Sequence, residues 1–85
     1  MRAPRVSSLP HSTAIDHLID AMLECYLDWR EAASNARAAY RAWCAALANE
    51  RRLRLGAYLS ALDQEECAAA AYAGIVHEVT TRLYR

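Results

Sequence analysis

The 85-residue chain contains no lysine and no phenylalanine, and the residues that interrupt helices are few. Both prolines, Pro4 and Pro10, lie within the first ten residues, and Gly56 and Gly74 are the only glycines. From residue 13 onward the chain therefore lacks the residue that most strongly breaks a helix. Eighteen of the nineteen alanines lie in that stretch and give it high helix propensity. This composition predicts an all-α protein.

An excess of charge of either sign is also absent. Ten arginines balance ten acidic residues, so the formal net charge is zero. Domains dedicated to nucleic acid are usually clearly basic, so the balance argues against nucleic acid as a partner. No segment reaches the roughly 18 continuous apolar residues that a membrane span requires. Residues 1–12 lack the apolar stretch of a secretory signal, so we expect a cytoplasmic protein without membrane contact.

The chain has three cysteines, Cys25, Cys44 and Cys67, and no Cys-x-x-Cys pair. An odd number of widely spaced cysteines is not the pattern of a metal site, a redox site or a disulfide framework. We therefore expect free thiols in a reducing compartment, and neither a metal nor another cofactor.

Apolar residues recur every three or four positions in two stripes that are out of phase with each other. The first stripe contains Ile15, Leu18, Ile19, Met22, Cys25, Tyr26, Trp29, Ala32, Ala33, Ala36, Ala39, Tyr40, Trp43, Ala46 and Leu47. The second contains Leu55, Tyr58, Leu59, Leu62, Ala69, Tyr72, Ala73, Val76, Val79, Thr80 and Leu83. Such seven-residue spacing is typical of helices that pack along a seam. The phase changes between the stripes, where Asn49 favours a turn or a cap.

These patterns predict a long antiparallel helical hairpin, with helices at about 13–48 and 50–84. Residues 1–12 are predicted to form a flexible N-terminal arm outside the helical domain at 13–85. If the chain reverses at Asn49, facing positions have numbers that sum to about 98. The predicted facing pairs include Tyr26 with Tyr72, Trp29 with Ala69, Ala36 with Leu62, Tyr40 with Tyr58, and Trp43 with Leu55. A three-helix bundle with further turns near Ser34 and Asp63 is the alternative.

Two helices alone cannot enclose a core, because each keeps about half of its apolar surface in water. We therefore expect the hairpin to dimerise into a four-helix bundle or to dock on a larger helical protein. The function predicted is that of a non-enzymatic protein–protein interaction or adaptor module. Aromatic side chains dominate the energetics of such interfaces. The residues predicted to anchor the assembly are Tyr26, Trp29, Tyr40 and Trp43.

Charge is distributed unevenly along the predicted hairpin. Residues 13–31 and 63–80 together hold nine acidic residues and one arginine, a charge of about −8. Residues 32–62 hold five arginines and one glutamate, about +4. An antiparallel dimer would place the basic half of each copy beside the acidic half of the other. The acidic residues of the first helix could instead form only a solvated face. They are Asp16, Asp20, Glu24, Asp28 and Glu31.

Two other functions have some support in the sequence. Arg51, Arg52 and Arg54 lie close together at the predicted turn, where guanidinium groups could bind phosphate or acidic surfaces, as in a small regulator. A metal-dependent carboxylate enzyme is the remaining alternative, since one helical face carries His17, Asp20 and Glu24. A di-metal bundle, however, needs Glu-x-x-His motifs, and none occurs.

Glu65 and Glu66 interrupt the second stripe at a seam position. Because an unpaired buried carboxylate is costly, both side chains should lean into solvent or meet an arginine such as Arg37 from a partner. The prediction that both turn to solvent is the simpler of the two.

Several core positions, spread over residues 15–76, resemble a pattern in short actinobacterial helical proteins that have no agreed activity. They are Trp29, Ala39, Tyr40, Trp43, Tyr58, Ala61, Leu62, Asp63, Glu65, Glu66 and Tyr72. The resemblance implies a helical fold and a bacterial cytoplasmic protein, and it implies no catalytic or binding residues. The architecture is also similar to that of small secreted helical hairpins, although the Trp-x-Gly turn of that family is absent.

Overall fold

The computed structural model describes the backbone of residues 3–84 and the side chains of residues 13–84. Helix α1 spans Ala3–Cys44 and helix α2 spans Arg51–Leu83. Tyr40 contacts Tyr58, and Tyr26 contacts Tyr72, so later residues of α1 meet earlier residues of α2. The two helices are therefore antiparallel and form a rod of 72 × 22 × 13 Å. The predicted all-α helical hairpin is confirmed.

Both helices are continuous where the three-helix alternative needs further turns. Ser34 lies inside α1 and Asp63 lies inside α2. Alanine-rich sequence surrounds both positions, and the apolar stripe keeps its phase through each of them. The cap-forming tendency of a single serine or aspartate is too small to end a helix against that background.

All four helix boundaries differ from the predicted ones, those of α2 by a single residue at each end. Helix α1 begins at Ala3 rather than at residue 13, so the helix continues through the segment predicted as an arm. Pro4 falls in the first turn, where no backbone N–H is needed. Helix α1 also ends at Cys44 instead of about residue 48, and α2 ends at Leu83. The division into an arm, 1–12, and a domain, 13–85, stays a prediction, because the side chains of residues 1–12 lie outside the described part.

The chain reverses over residues 45–50, a longer connection than the single-residue bend that was predicted. The Glu50 N–H donates to the Leu47 carbonyl at 2.9 Å, which closes a four-residue turn with Ala48 and Asn49 at its centre. Asn49 thus lies in the turn, but Glu50 is the N-cap of α2 and makes no side-chain capping bond. Several residues are required because the chain must cross the 8–10 Å, roughly, that separates two packed helix axes.

The described residues on both predicted stripes form the seam between the helices. Ala36 and Val79 are the two buried apolar residues, at 4% and 5% exposure, and most other seam residues are half-buried. On α2 the seam includes Leu55, Tyr58 and Leu62, whereas Leu59 on the outer edge of the predicted stripe is exposed. The core is therefore a single row of contacts with water on both sides.

Candidate interaction surface

Three aromatic rings from both helices form a cluster near the middle of the rod, here called the central cluster: Tyr26, Trp29 and Tyr72. The Trp29 and Tyr72 rings stack with their centroids 5.7 Å apart and their planes inclined by 12°. The Tyr26 ring lies 5.5 Å from that of Tyr72 and meets Trp29 edge-on at 6.1 Å. Each of these aromatic pairs contributes roughly 0.5–1.5 kcal/mol beyond its buried area.

A second cluster near the turn, here called the turn cluster, repeats this arrangement with Tyr40, Trp43 and Tyr58. Its stacked pair is Trp43 and Tyr58, with centroids 5.8 Å apart and planes inclined by 15°. The Tyr40 ring lies 5.4 Å from Tyr58 and 6.1 Å from Trp43. The corresponding distances in the two clusters therefore agree to within 0.1 Å.

The likeness of the clusters follows from a repeat of 14 residues on each helix. Tyr-x-x-Trp occurs on α1 at 26–29 and again at 40–43, and the tyrosines of α2 are at 58 and 72. Fourteen residues are four turns of a heptad helix, so the second copy returns to the same face about 21 Å along the axis. The recurring Tyr-x-x-Trp is the sequence signal of this repeat.

The predicted facing pairs of tyrosines are confirmed, and the tryptophan rings stack on those same tyrosines of α2. Trp29 was expected to face Ala69, and its ring stacks on Tyr72, one helical turn further along α2. Trp43 was expected to face Leu55, and its ring stacks on Tyr58. Side chains of a helix lean toward its N-terminus. On α1 that direction leads toward higher-numbered residues of α2, so a long side chain reaches one turn beyond the residue opposite its Cα.

The four residues predicted to anchor an assembly, Tyr26, Trp29, Tyr40 and Trp43, all belong to these intramolecular clusters. Tyr40 is 47% exposed, and the other three are half-buried. Their rings hold α1 against α2. Their part in binding a second molecule stays a prediction, and Tyr40 offers the largest exposed fraction of the four.

Two polar interactions distinguish the tyrosines of α1. The Arg30 guanidinium donates to the Tyr26 hydroxyl at 2.9 Å and lies over the Tyr26 ring, 5.7 Å from its centroid. At Tyr40, a hydrogen bond with Cys44 and repulsion by the charge of its thiolate raise the pKa of the phenol above its ordinary value. Cys44 and Cys67 are exposed free thiols, and Cys25 is a half-buried one.

One buried polar atom among the described side chains has no hydrogen-bond partner, the indole Nε1 of Trp43. Its ring is covered by Tyr58 on one face and by the edge of Tyr40. A buried donor without an acceptor costs roughly 1–3 kcal/mol. The turn cluster therefore contributes less to stability than its ring contacts alone imply.

An open groove crosses from one helix to the other on one side of the rod. It is lined by Ala36, Arg37, Tyr40, Arg41, Tyr58, Leu62 and Glu65. A second depression adjoins it on α2, sharing Leu62 and Glu65 and adding Leu59. Both glutamates of the second stripe were predicted to face solvent. Glu66 is exposed, but Glu65 is half-buried in the groove that Arg37 also lines.

Several large apolar side chains lie exposed on the same side of the rod as this groove. Leu23 and Leu27 precede Arg37 and Arg41 by 14 residues each, so they share those positions around α1. The exposures of Leu23 and Leu27 are 54% and 64%, and that of Leu59 is 51%. We call this surface, Leu23, Leu27, Tyr40 and Leu59, the apolar side. Leu47 is 68% exposed but lies in the turn, beyond the end of α1.

The opposite side of the rod has a different composition. A depression there is lined by Cys25, Asp28, Ser60, Asp63, Gln64, Cys67, Ala68 and Ala71. These side chains are small or polar. Leu53, 74% exposed, precedes Ser60 by seven residues and lies on this side too. The exposed leucines are therefore more numerous on the apolar side, but not confined to it.

The residues weighed as ligands do not form such a site in the described part of the chain. Among residues 13–84, no group of three or more histidine, cysteine or acidic side chains could hold a metal ion, which includes His17, Asp20 and Glu24. Arg51, Arg52 and Arg54 are exposed at the start of α2, whose first turn holds no acidic residue but follows the N-cap Glu50. In the same part of the chain, neither helix is long and apolar enough to cross a membrane.

Comparison of the chain with models of protein families, with curated proteins and with solved structures gives no significant match.

Proposed function

We propose that this protein works by helix–helix association, as a non-enzymatic interaction or adaptor module. The observation that carries the proposal is the imbalance between core and surface. Two described apolar residues are buried, whereas eight large ones, from Leu23 to Tyr84, are 47–82% exposed. Single exposed leucines are ordinary, but exposed large apolar side chains that so outnumber the buried ones on a small protein are typical of an interaction surface.

The partner is a second copy of the chain or a larger helical protein. Either would lay helices against the apolar side and complete a bundle of the four-helix type. Tyr40 would take part directly, because almost half of its surface is exposed. Tyr26, Trp29 and Trp43 would act mainly by keeping the two helices in register. Free thiols on all three cysteines support a cytoplasmic location as part of the same proposal.

The mass of the protein in solution tests this function. Sedimentation equilibrium would be run on the purified chain and on the chain co-purified from its native host, each at low and high salt. Association with itself or with a host protein is expected in at least one preparation, and substitution of Leu23 and Leu59 by serine should weaken it. A strictly monomeric chain in both preparations contradicts the proposal.

The exposed turn arginines favour a second candidate, a small regulator that responds to anions or nucleic acid. Arg51, Arg52 and Arg54 lie at the N-terminus of α2, where free backbone N–H groups also attract anions. The only ion pair among the described side chains is Arg82 with Glu78, at 3.3 Å, so the three turn arginines form no ion pair with any side chain of that part. Binding to single- and double-stranded nucleic acid over a salt series would reveal this activity as a steep loss of affinity with salt.

A further inference from the structure

We propose that the occupant of the apolar side is a second copy of this chain, packed in the opposite direction so that the turn of each copy lies toward the open end of the other. The inference rests on the proposed function and adds to it the partner, the surface and the orientation. Three observations support it: the amount of exposed surface, the order of residues along α1, and the split in charge.

The hairpin exposes more surface than a compact protein of its mass. Its accessible surface is 6507 Å², whereas a compact 9.5 kDa monomer exposes about 5,000 Å². A standard interface covers about 800 Å² on each partner. The accessible surface that the hairpin exposes in excess of a compact monomer is therefore larger than the area that one copy would bury in such an interface.

The order of residues on the apolar side of α1 is complementary to itself when reversed. Acidic residues come first, with Asp16 and Asp20, and leucines follow at Leu23 and Leu27. The arginines Arg37 and Arg41 come last, at positions around the helix that match those of the leucines. Asp16 shares the position of Leu23, and Asp20 that of Leu27, seven residues earlier in each case. The four charged residues are all exposed, and among the side chains of residues 13–84 none of them forms an ion pair.

A two-fold axis crossing α1 between Asp28 and Trp29 relates these groups pairwise. Asp16 of one copy then lies level with Arg41 of the other, and Asp20 lies level with Arg37. Closer to the axis, Leu27 lies level with Arg30 of the other copy and Leu23 lies level with Ser34, because Arg30 and Ser34 share the leucines' positions around the helix. The leucines of both copies therefore adjoin at the centre of the interface, where apolar contact is worth most. A parallel arrangement would instead bring arginine beside arginine and aspartate beside aspartate.

The charge of the whole rod favours the same direction. Because facing residues sum to about 98, the open half of the rod is residues 13–31 and 67–84, with six acids and two arginines. The turn half, residues 32–66, has five arginines and four acids. Reversed packing therefore sets about +1 beside about −4 twice in one dimer, while parallel packing sets like beside like.

Charge-reversed variants test the surface and the orientation together, with sedimentation equilibrium as the measurement and circular dichroism as the check on helicity. The first variant carries Arg37→Glu and Arg41→Glu, and the second carries Asp16→Arg and Asp20→Arg. In the reversed dimer each variant alone faces like charge at both ends of the interface. Its dimer dissociation constant should therefore rise about tenfold or more at low salt. Higher salt should narrow that difference.

Two further samples restore the pairing. An equimolar mixture of the two variants should form a heterodimer as tight as the wild-type dimer. A single chain carrying all four substitutions should form a homodimer again. The matched control is Glu24→Arg with Glu31→Arg, which makes the same charge change in the open half on exposed positions away from the apolar side. It should leave the dimer affinity within about twofold of wild type.

Three results would overturn the inference. A wild-type chain that stays monomeric alone refutes the self-partner, while capture of a helical protein from the host would leave the proposed function intact. Parallel packing is indicated if the chain with all four substitutions dimerises as weakly as the two double variants, while the mixture of those two dimerises more tightly than wild type. If the control with Glu24→Arg and Glu31→Arg weakens the dimer as much as the two double variants do, the interface lies elsewhere. Failure of the proposed function itself would require a monomer in both preparations described above.

Discussion

Trp29 and Tyr72 stack face to face across the two helices at 5.7 Å, and fourteen residues along each helix Trp43 and Tyr58 repeat the contact at 5.8 Å. These two contacts, about 21 Å apart along the helix axis, hold together a hairpin that has almost no enclosed core. A single contact would let the helices pivot, whereas two separated ones define both their register and their rotation.

The Trp43 indole N–H has no hydrogen-bond acceptor, so the turn cluster stabilises the protein less than the central cluster does. Replacing Trp43 with phenylalanine removes a buried donor that has no acceptor, which offsets part of the lost ring area. Both Trp43→Phe and Trp29→Phe should lower the free energy of unfolding. We expect the loss for Trp43→Phe to be the smaller of the two, by about 1–2 kcal/mol. Urea denaturation of both variants measures the difference. An equal or larger loss for Trp43→Phe would contradict this reading of the turn cluster.

Both glycines weaken the helix that contains them. Gly56 and Gly74 lie inside α2 on exposed positions, and a Cβ added at either would meet no atom within 4 Å. Each change to alanine should therefore stabilise the protein by about 0.5–1 kcal/mol through helix propensity alone. Thermal unfolding gives the measurement. Ala57→Gly, at a neighbouring exposed position, is the matched control and should destabilise by a similar amount.

Ala36 marks the place where a larger side chain cannot be accommodated. It is 4% exposed and lies beside Leu62 in the groove between the helices. Ala36→Leu should force the helices apart and cost about 1–3 kcal/mol of stability. Ala38→Leu, at an exposed position two residues away, should change stability by no more than about 0.5 kcal/mol. If denaturation gave similar values for the two variants, the seam would not pass through Ala36.

The ionisation of Tyr40 reports on its contact with Cys44. Hydrogen bonding and the thiolate charge favour the neutral phenol and raise its pKa, so Tyr40 should ionise at higher pH than an isolated tyrosine. Cys44→Ala removes both effects and should lower that pKa toward its ordinary value. Ring chemical shifts of Tyr40, assigned with Tyr40→Phe, follow the titration. Cys67→Ala should leave the curve in place, and a fall of the Tyr40 pKa in that variant would refute the assigned cause.

Much of this fold was determined by the sequence alone. The absence of proline after Pro10 and the many alanines specify helix, and the change of phase between the stripes specifies one reversal. The tyrosine pairs, Tyr26 with Tyr72 and Tyr40 with Tyr58, followed from the same spacing. Heptad spacing carries this information because it states which face of each helix is apolar, and two apolar faces must meet.

Only the tertiary structure decided the ring partners, the length of the turn and the difference between Glu65 and Glu66. Spacing gives the angle of a residue around its helix, but it does not describe how far a long side chain leans along the axis, which brought Trp29 to Tyr72. Adjacent glutamates differ by about 100° around α2, so the rotation of that helix against α1 placed Glu65 in the groove and Glu66 in water. That rotation is a property of both helices packed together, and one-dimensional periodicity does not contain it.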